Sequence, residues 1–355
     1  MTDKNETFTG TMPIAERQRF DVGALDAYLR QHLDGYQGPL TVEQFKGGQS
    51  NPTFVLRTPS RAYVMRSKPG PVAKLLPSAH AIEREYRVMH ALSKTEVPVA
   101  KVYCLCADES IIGRAFYVME FIEGRILWEQ ALPGMSAAER GAIYDEMNRV
   151  MALLHTTDYQ AIGLGDFGRP GNYFSRQIGR WSKQYAVSET QKIDEMDRLI
   201  EWLPAHIPAG DETTIVHGDY RLDNLVFDAK QPRIRAILDW ELSTLGHPLA
   251  DFSYHCMGFH IEPEQFRGIK GLDLAALGIP SERQYIDAYC RRTGRAGVEH
   301  WDFYLAYNLF RLAAILQGIA KRVVDGTASN ERAHEQAARV VPLAKAGWAI
   351  AQRVG

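Results

Sequence analysis

Ile215-Val216-His217-Gly218-Asp219-Tyr220-Arg221-Leu222-Asp223-Asn224-Leu225-Val226-Phe227 sets the densest polar cluster of the chain between two apolar runs. The runs are short and bounded by polar residues, so they read as strands and the segment between them as a charged loop. Fifteen residues after Asn224 a third apolar run, Ile237-Leu238, ends in Asp239-Trp240-Glu241. A further carboxylate thus stands at the mouth of what reads as the same small sheet. Singly, Asp219 and Asp223 suit a turn and His217 suits a hydrogen-bonded core position. Chance has more to explain in the set, with His, Asp and Asn at fixed spacing followed in order by a strand-ending Asp.

Upstream of this loop the pattern divides the chain. Asp21 caps a helix carrying Leu25, Leu29 and Leu33, with Gly35 as its stop. Leu40 to Lys46, Thr53 to Thr58 and Ala62 to Arg66 alternate as strands of an antiparallel meander, separated by Gly47-Gly48 and Pro59-Ser60. Ile82, Tyr86, Met89 and Leu92 have helical spacing, and strand-like runs follow at Val99 to Cys106 and Ala115 to Glu120. After Gly124 the texture turns helical, beginning with Ser136 and Glu139 as a capping box. The expected fold is α+β, with a small antiparallel-sheet lobe over residues 1–120, a hinge over 121–126 and a larger, mainly helical lobe over 127–355.

The spacing H-x-D-x-x-x-x-N is the one kinase-type phosphoryl transfer uses, its Asp accepting the substrate hydroxyl proton and its Asn holding magnesium. Such transfer is mainly positioning and charge neutralisation, and a hard cation wants oxygen ligands. The chain resembles the aminoglycoside phosphotransferase and choline kinase superfamily, a branch of the protein-kinase-like fold. The resemblance is closest to the phosphotransferase-like domains found alone in bacteria or fused to acyl-CoA dehydrogenases. It is carried by Gly47-Gly48-Gln49-Ser50-Asn51-Pro52-Thr53, Arg84-Glu85-Tyr86, Gly168-Arg169-Pro170-Gly171-Asn172-Tyr173 and Gly246-His247-Pro248-Leu249-Ala250-Asp251. It implies ATP and Mg2+ as cofactors, Asp219 as base, Asn224 and Asp239 as metal ligands, and Met119, Glu120, Phe121 and Ile122 beside adenine. Pro248 to Asp251 would brace the helical lobe, and a functional link to an acyl-CoA dehydrogenase follows from the same kinship.

Two positions depart from the kinase pattern. The third strand carries Arg66 where kinases place lysine, with Glu85 on the next helix as its partner. Arginine keeps the charge and suits bidentate phosphate binding, and Lys68 is the substitute if Arg66 points away. The nucleotide-covering loop is Gly47-Gly48-Gln49-Ser50 instead of GxGxxG, and a tight hairpin turn explains two glycines equally well when taken alone. Arg221, two residues after Asp219, either neutralises the transferred phosphoryl or pairs with Asp223 or Glu241. His155 reads as a structural residue at a helix end, and Cys104 and Cys106 as strand residues facing one side.

The acceptor is approached through charge. After Asp251 there are 13 Lys+Arg against 10 Asp+Glu. Arg176, Arg180 and Lys183 fall on one helical face beside the apolar stripe Phe174, Ile178, Trp181 and Tyr185. Arg311, inside an apolar helix, must find an anion or meet a large desolvation cost. Arg176, Arg180, Trp181 and Arg311 are therefore the candidate acceptor contacts, for an anionic hydroxyacyl-CoA or hydroxy acid in preference to a polycationic aminoglycoside. The expected activity is a phosphotransferase with an alcohol group as acceptor. An aminoglycoside-type O-phosphotransferase, a nucleotide-binding pseudokinase that serves as an interaction module, and a metal-dependent hydrolase are the alternatives. Retention of Asp219, Asn224 and Asp239 together argues against the pseudokinase, and the hydrolase leaves Arg66 and Glu85 without a role.

Composition sets the outer limits. At 355 residues the chain suits two domains or one two-lobed enzyme, and 45% hydrophobic with 24% charged residues is ordinary for a globular protein. A net charge of −2 removes the general electrostatic case for nucleic acid or an anionic membrane as partner. Four cysteines without a CxxC pair fit reduced thiols, and Met1 to Thr11 lacks the apolar stretch of a secretory signal, so a cytoplasmic location is expected. The segment Trp301 to Ile319 is interrupted by Asn308, Arg311 and Gln317 and is not expected to span a membrane.

Overall fold

The computed structural model describes residues 10–46, 51–70, 81–327 and 333–354. The Gly47-Gly48-Gln49-Ser50 loop therefore lies outside the described residues. The chain forms two compact units, one of Met1–Trp128, Gln160–Phe167 and Asp223–Ser243, the other of Glu129–Tyr159, Gly168–Leu222 and Thr244–Gly355. A single cut at residues 121–126 does not describe this partition, because the first unit takes back two later segments.

Alternation builds the first unit. Strands β1 (Thr11–Met12), β2 (Thr41–Phe45), β3 (Thr53–Arg57), β4 (Ala62–Ser67), β5 (Val102–Cys106) and β6 (Phe116–Glu120) form an antiparallel sheet in the order β1-β2-β3-β4-β6-β5. Every second residue faces one side. Phe54, Leu56, Tyr63, Met65, Cys104, Cys106, Phe116 and Val118 meet Leu25, Leu29 and Leu33 of the helix region opened by α1 (Val22–His32). Asp21 caps α1 by accepting from the Ala24 amide. The alternation that buries Tyr63 and Met65 on that side turns Arg66 to the other, where its register partner is Tyr117 on β6. Glu85, from α2 (Ile82–Leu92), meets both there.

A second, three-stranded sheet completes this unit, in which β7 (Arg125–Ile126) pairs with Leu225–Phe227, and that strand with Ile234–Ile237. Gly124 allows the approach, since a Cβ there would lie 2.2 Å from the Phe227 carbonyl oxygen. This pairing is the physical reason that residues 223–243 belong with the sheet.

The second unit is mainly helical. Ser136 and Glu139 close the expected capping box on the Ala137–Thr156 helix, and Ser281 with Gln284 closes another on Glu282–Thr293. Trp301–Val324 is long and apolar enough by length and composition to cross a bilayer, yet 78% of an apolar 18-residue stretch within it is buried inside the protein. Its interrupting polar residues are spent internally. Asn308 donates to the Ala250 carbonyl and Gln317 to the Ser188 carbonyl. A two-stranded ladder, Thr214–Val216 with Thr244–Gly246, carries the chain into the polar loop.

Candidate active site

In the first unit, Leu225 pairs with Ile237, and the Leu238 amide donates to the Asn224 carbonyl at 2.8 Å. Asn224 and Asp239 therefore leave the same end of one antiparallel ladder. Asp239 has φ +64°, the left-handed region that few residues except Gly, Asn and Asp occupy readily. Its carboxylate oxygen Oδ1 accepts from Arg66 Nη2 at 2.7 Å, and Glu241 Oε2 accepts from the same nitrogen at 3.3 Å.

Arg66 also lies 3.1 Å, through Nε, from Oε2 of Glu85, whose side chain is 1% exposed. Glu85 accepts from Asn51 Nδ2 at 2.9 Å and from the Tyr117 hydroxyl at 3.2 Å. Burial pushes the Glu85 carboxyl up to about 7 against the opposing pull of Arg66. The guanidinium thus ties a buried carboxylate to the carboxylate that ends the ladder. Lys68 points elsewhere, to Glu83 at 2.5 Å. Met119 is buried in β6, and Phe121, just beyond it, stacks with Phe45 at 6.5 Å.

In the second unit the polar loop is held by its backbone. Asp251 Oδ2 accepts from the His217 amide at 2.6 Å and Oδ1 from the Gly218 amide at 2.9 Å. Gly218 has φ +82°, a conformation that admits this turn without a side-chain penalty. Burial works to raise the Asp251 carboxyl, but His155 and His217 outweigh it and hold it below the usual range. Asp219 then follows, its amide donating to His217 Nδ1 at 3.2 Å. Its Oδ1 accepts from the Tyr254 hydroxyl at 2.5 Å and lies 3.1 Å from Arg221 Nε.

Several expectations change in detail. Arg221 Nε lies 3.1 Å from Asp219 Oδ1, a partner the sequence reading did not name. Arg311 answers its burial with a carbonyl and two π faces. Its Nη2 donates to Gly218 O at 2.9 Å, and its Cζ stands 5.2 Å from the Tyr254 ring centre and 5.9 Å from that of Trp181. On the Tyr173–Ser188 helix, Phe174, Ile178 and Tyr185 are buried as the stripe predicts, while Arg180 lies over Trp181 and Arg176 donates to the Arg169 carbonyl. His155 is more than a helix end, since its ring meets both Asp251 and the Tyr289 hydroxyl. Tyr254, Asn51 and Glu241 were not singled out as site residues. Asn51 and Glu241 stood in quoted motifs, whereas Tyr254 lies 35 residues from its partner and no local pattern marks it.

A β-rich unit in which an arginine–glutamate pair meets Asp239, and a mainly helical unit that holds the Asp219 loop, are the two parts of a protein-kinase-like fold. Residues 41–302 match the model of the phosphotransferase enzyme family, and the chain belongs to that family. It is 64% identical to an aminoglycoside phosphotransferase candidate of known structure from Ralstonia eutropha JMP134, with a TM-score of 0.88 over 94% of this chain and 99% of that one. Choline kinase from Cryptosporidium parvum shares the fold at a TM-score of 0.63 and 13% identity, over 94% of this chain and 97% of that one. Among curated proteins, mouse acyl-CoA dehydrogenase family member 10 is 44% identical over 97% of the chain, which spans 32% of that longer protein.

Proposed function

We propose that the chain is an ATP- and magnesium-dependent kinase whose favoured acceptor is an anionic hydroxyacyl-CoA or hydroxy acid. The observation that carries the cofactor reading is the common ladder end from which Asn224 and Asp239 emerge, with Arg66 on the Asp239 carboxylate at 2.7 Å. Both side chains offer hard oxygen donors, and three carboxylates (Glu85, Asp239, Glu241) face one guanidinium there. That set suits magnesium, which is commonly held by one or two protein groups together with substrate phosphates. Magnesium bound there would neutralise phosphate charge. Arg66, oriented by Glu85, would bind the nucleotide phosphates, and Met119 to Ile122 would line the base.

Asp219 then accepts the proton of the acceptor hydroxyl as the acceptor oxygen bonds to phosphorus, and Arg221 supplies a positive charge beside that carboxylate. For the acceptor, the support is charge and kinship. The cations Arg176, Arg180 and Arg311 lie in a unit whose helix also carries Trp181, and a polycation would find no excess of carboxylates after Asp251. Kinship with an acyl-CoA dehydrogenase family member suggests a functional link to such an enzyme. The name of the Ralstonia relative favours a second reading, an aminoglycoside O-phosphotransferase. Four free, buried cysteines suit the reducing cytoplasm that we propose as its location.

Hydroxy acids, hydroxyacyl-CoA thioesters and aminoglycosides offered with ATP and magnesium, and read by mass for a gained phosphoryl group, separate these readings. Phosphorylation of the thioesters or hydroxy acids is expected, with kanamycin-like compounds poor. Efficient transfer to an aminoglycoside with none to any hydroxyacyl compound reverses the assignment. Asp219→Asn is expected to lower kcat about 10²–10⁴-fold while nucleotide affinity stays close to that of the parent, and near-normal turnover removes Asp219 as base.

A further inference from the structure

Tyr254 is the strongest unassigned group near the polar loop. It lies on the Pro248–Cys256 helix three residues after Asp251, so one helix face holds both the backbone of the loop and the Asp219 side chain. The phenol donates to Asp219 Oδ1 at 2.5 Å, and Arg221 Nε approaches the same oxygen at 3.1 Å. Arg311 stands over the face of the ring, with its Cζ 5.2 Å from the ring centre and its Nη2 on the Gly218 carbonyl at 2.9 Å.

A carboxylate attached through a single bond rotates in a broad, nearly two-fold torsional well. Backbone restraint of residues 217–219 places the Asp219 Cβ but does not by itself set the direction of its oxygens. The geometry points to Tyr254 as the positioning residue that, held by Arg311, anchors Oδ1 and so orients the Asp219 carboxylate for the acceptor hydroxyl. This rests on the reading of Asp219 as the base. Burial, followed by the nearby Asp219 charge, pushes the Tyr254 phenol well above its ordinary value, so it remains a donor across the physiological range. In the transfer step Tyr254 neither gains nor loses a proton. The hydroxyl proton passes to Asp219 as the new O–P bond forms and the bond to the ADP leaving group breaks.

Tyr254→Phe removes the hydroxyl and keeps the ring beneath Arg311. The expected result is a fall in kcat of about 10- to 100-fold, in line with loss of a hydrogen bond to a charged group. KM for ATP should stay unchanged, while the thermal midpoint falls only modestly as one hydrogen bond is lost. A structural role alone would move KM along with kcat. Crystal structures of the parent and the variant test the anchor without any acceptor, and the Asp219 carboxylate is expected to turn about its Cβ–Cγ bond. A kcat within twofold of the parent, or a carboxylate left in place, overturns the proposal. Asp219→Asn, assayed in parallel, separates the two claims. Parent-like turnover in Asp219→Asn discards the base itself, whereas a dead Asp219→Asn beside an unaffected Tyr254→Phe discards only the anchor.

Discussion

Arg66 shows why lysine and arginine differ at a single position. Its Nε faces Glu85 while its Nη2 reaches Asp239 and Glu241, a two-ended contact that a point ammonium cannot make. Arg66→Lys is therefore expected to keep part of the ATP affinity, Arg66→Ala to raise KM for ATP strongly, and Lys68→Ala to leave it within twofold, all read from steady-state kinetics. A damaging Lys68→Ala beside a harmless Arg66→Ala would transfer the phosphate-binding role to Lys68. Stability gives an independent reading. Removing the guanidinium leaves Glu85 buried without its cation, so Arg66→Ala should cost about 3–5 kcal/mol by denaturant titration, with Arg66→Ala/Glu85→Gln recovering a substantial part. The pairing of Arg66 with Glu85 was legible as an expectation, but strand alternation puts residues 66 and 68 on the same side and so left Lys68 open until the structure turned it to Glu83. Tyr254 was not legible, because its meeting with Asp219 depends on how a helix and a turn 35 residues apart are brought together.

Elements defined by short-range rules were legible in the same way: the Asp21 cap, the Ser136–Glu139 box and the alternating strands of the sheet all follow neighbours within four residues. Two-residue β7 escaped notice because its pairing, not its composition, makes it a strand. The Pro248–Cys256 helix adds a titratable start. His247 caps it, Nδ1 accepting from the Leu249 amide at 3.2 Å, which requires that nitrogen to be unprotonated. Burial pushes the imidazole down to about 4. Below about pH 6.5 the unfolded chain takes up a proton that the folded one refuses, so stability falls with falling pH between about 6.5 and 4. The loss reaches about 3 kcal/mol for this residue. His247→Asn, which can still cap, should flatten that part of a thermal-midpoint-versus-pH curve. An unchanged slope would assign the acid sensitivity to other groups.

At the scale of the whole molecule, a net charge of −2 offers little long-range attraction for the anionic acceptor proposed above, so its capture would depend on local cations screened beyond about 10 Å at 0.1 M salt. KM for a hydroxyacyl-CoA should accordingly rise with added salt, and a salt-independent KM would argue against recognition by these arginines. The overall division into a sheet-rich and a helical part was visible in the change of texture after Gly124. Its true course was not, because the segments that return to the first unit are recruited by pairing with β7 and by contacts of Arg66, Arg84 and Arg87. That return governs how the protein is made. Asp239 leaves the ribosome 173 residues after Arg66, a delay of roughly 10–35 s at ~5–20 residues/s. During that interval the nascent sheet carries Arg66 and Glu85 but lacks the hairpin that completes its unit. A chain arrested before residue 223 should thus be readily cut by protease within its first 128 residues, and one arrested after residue 243 has emerged should resist.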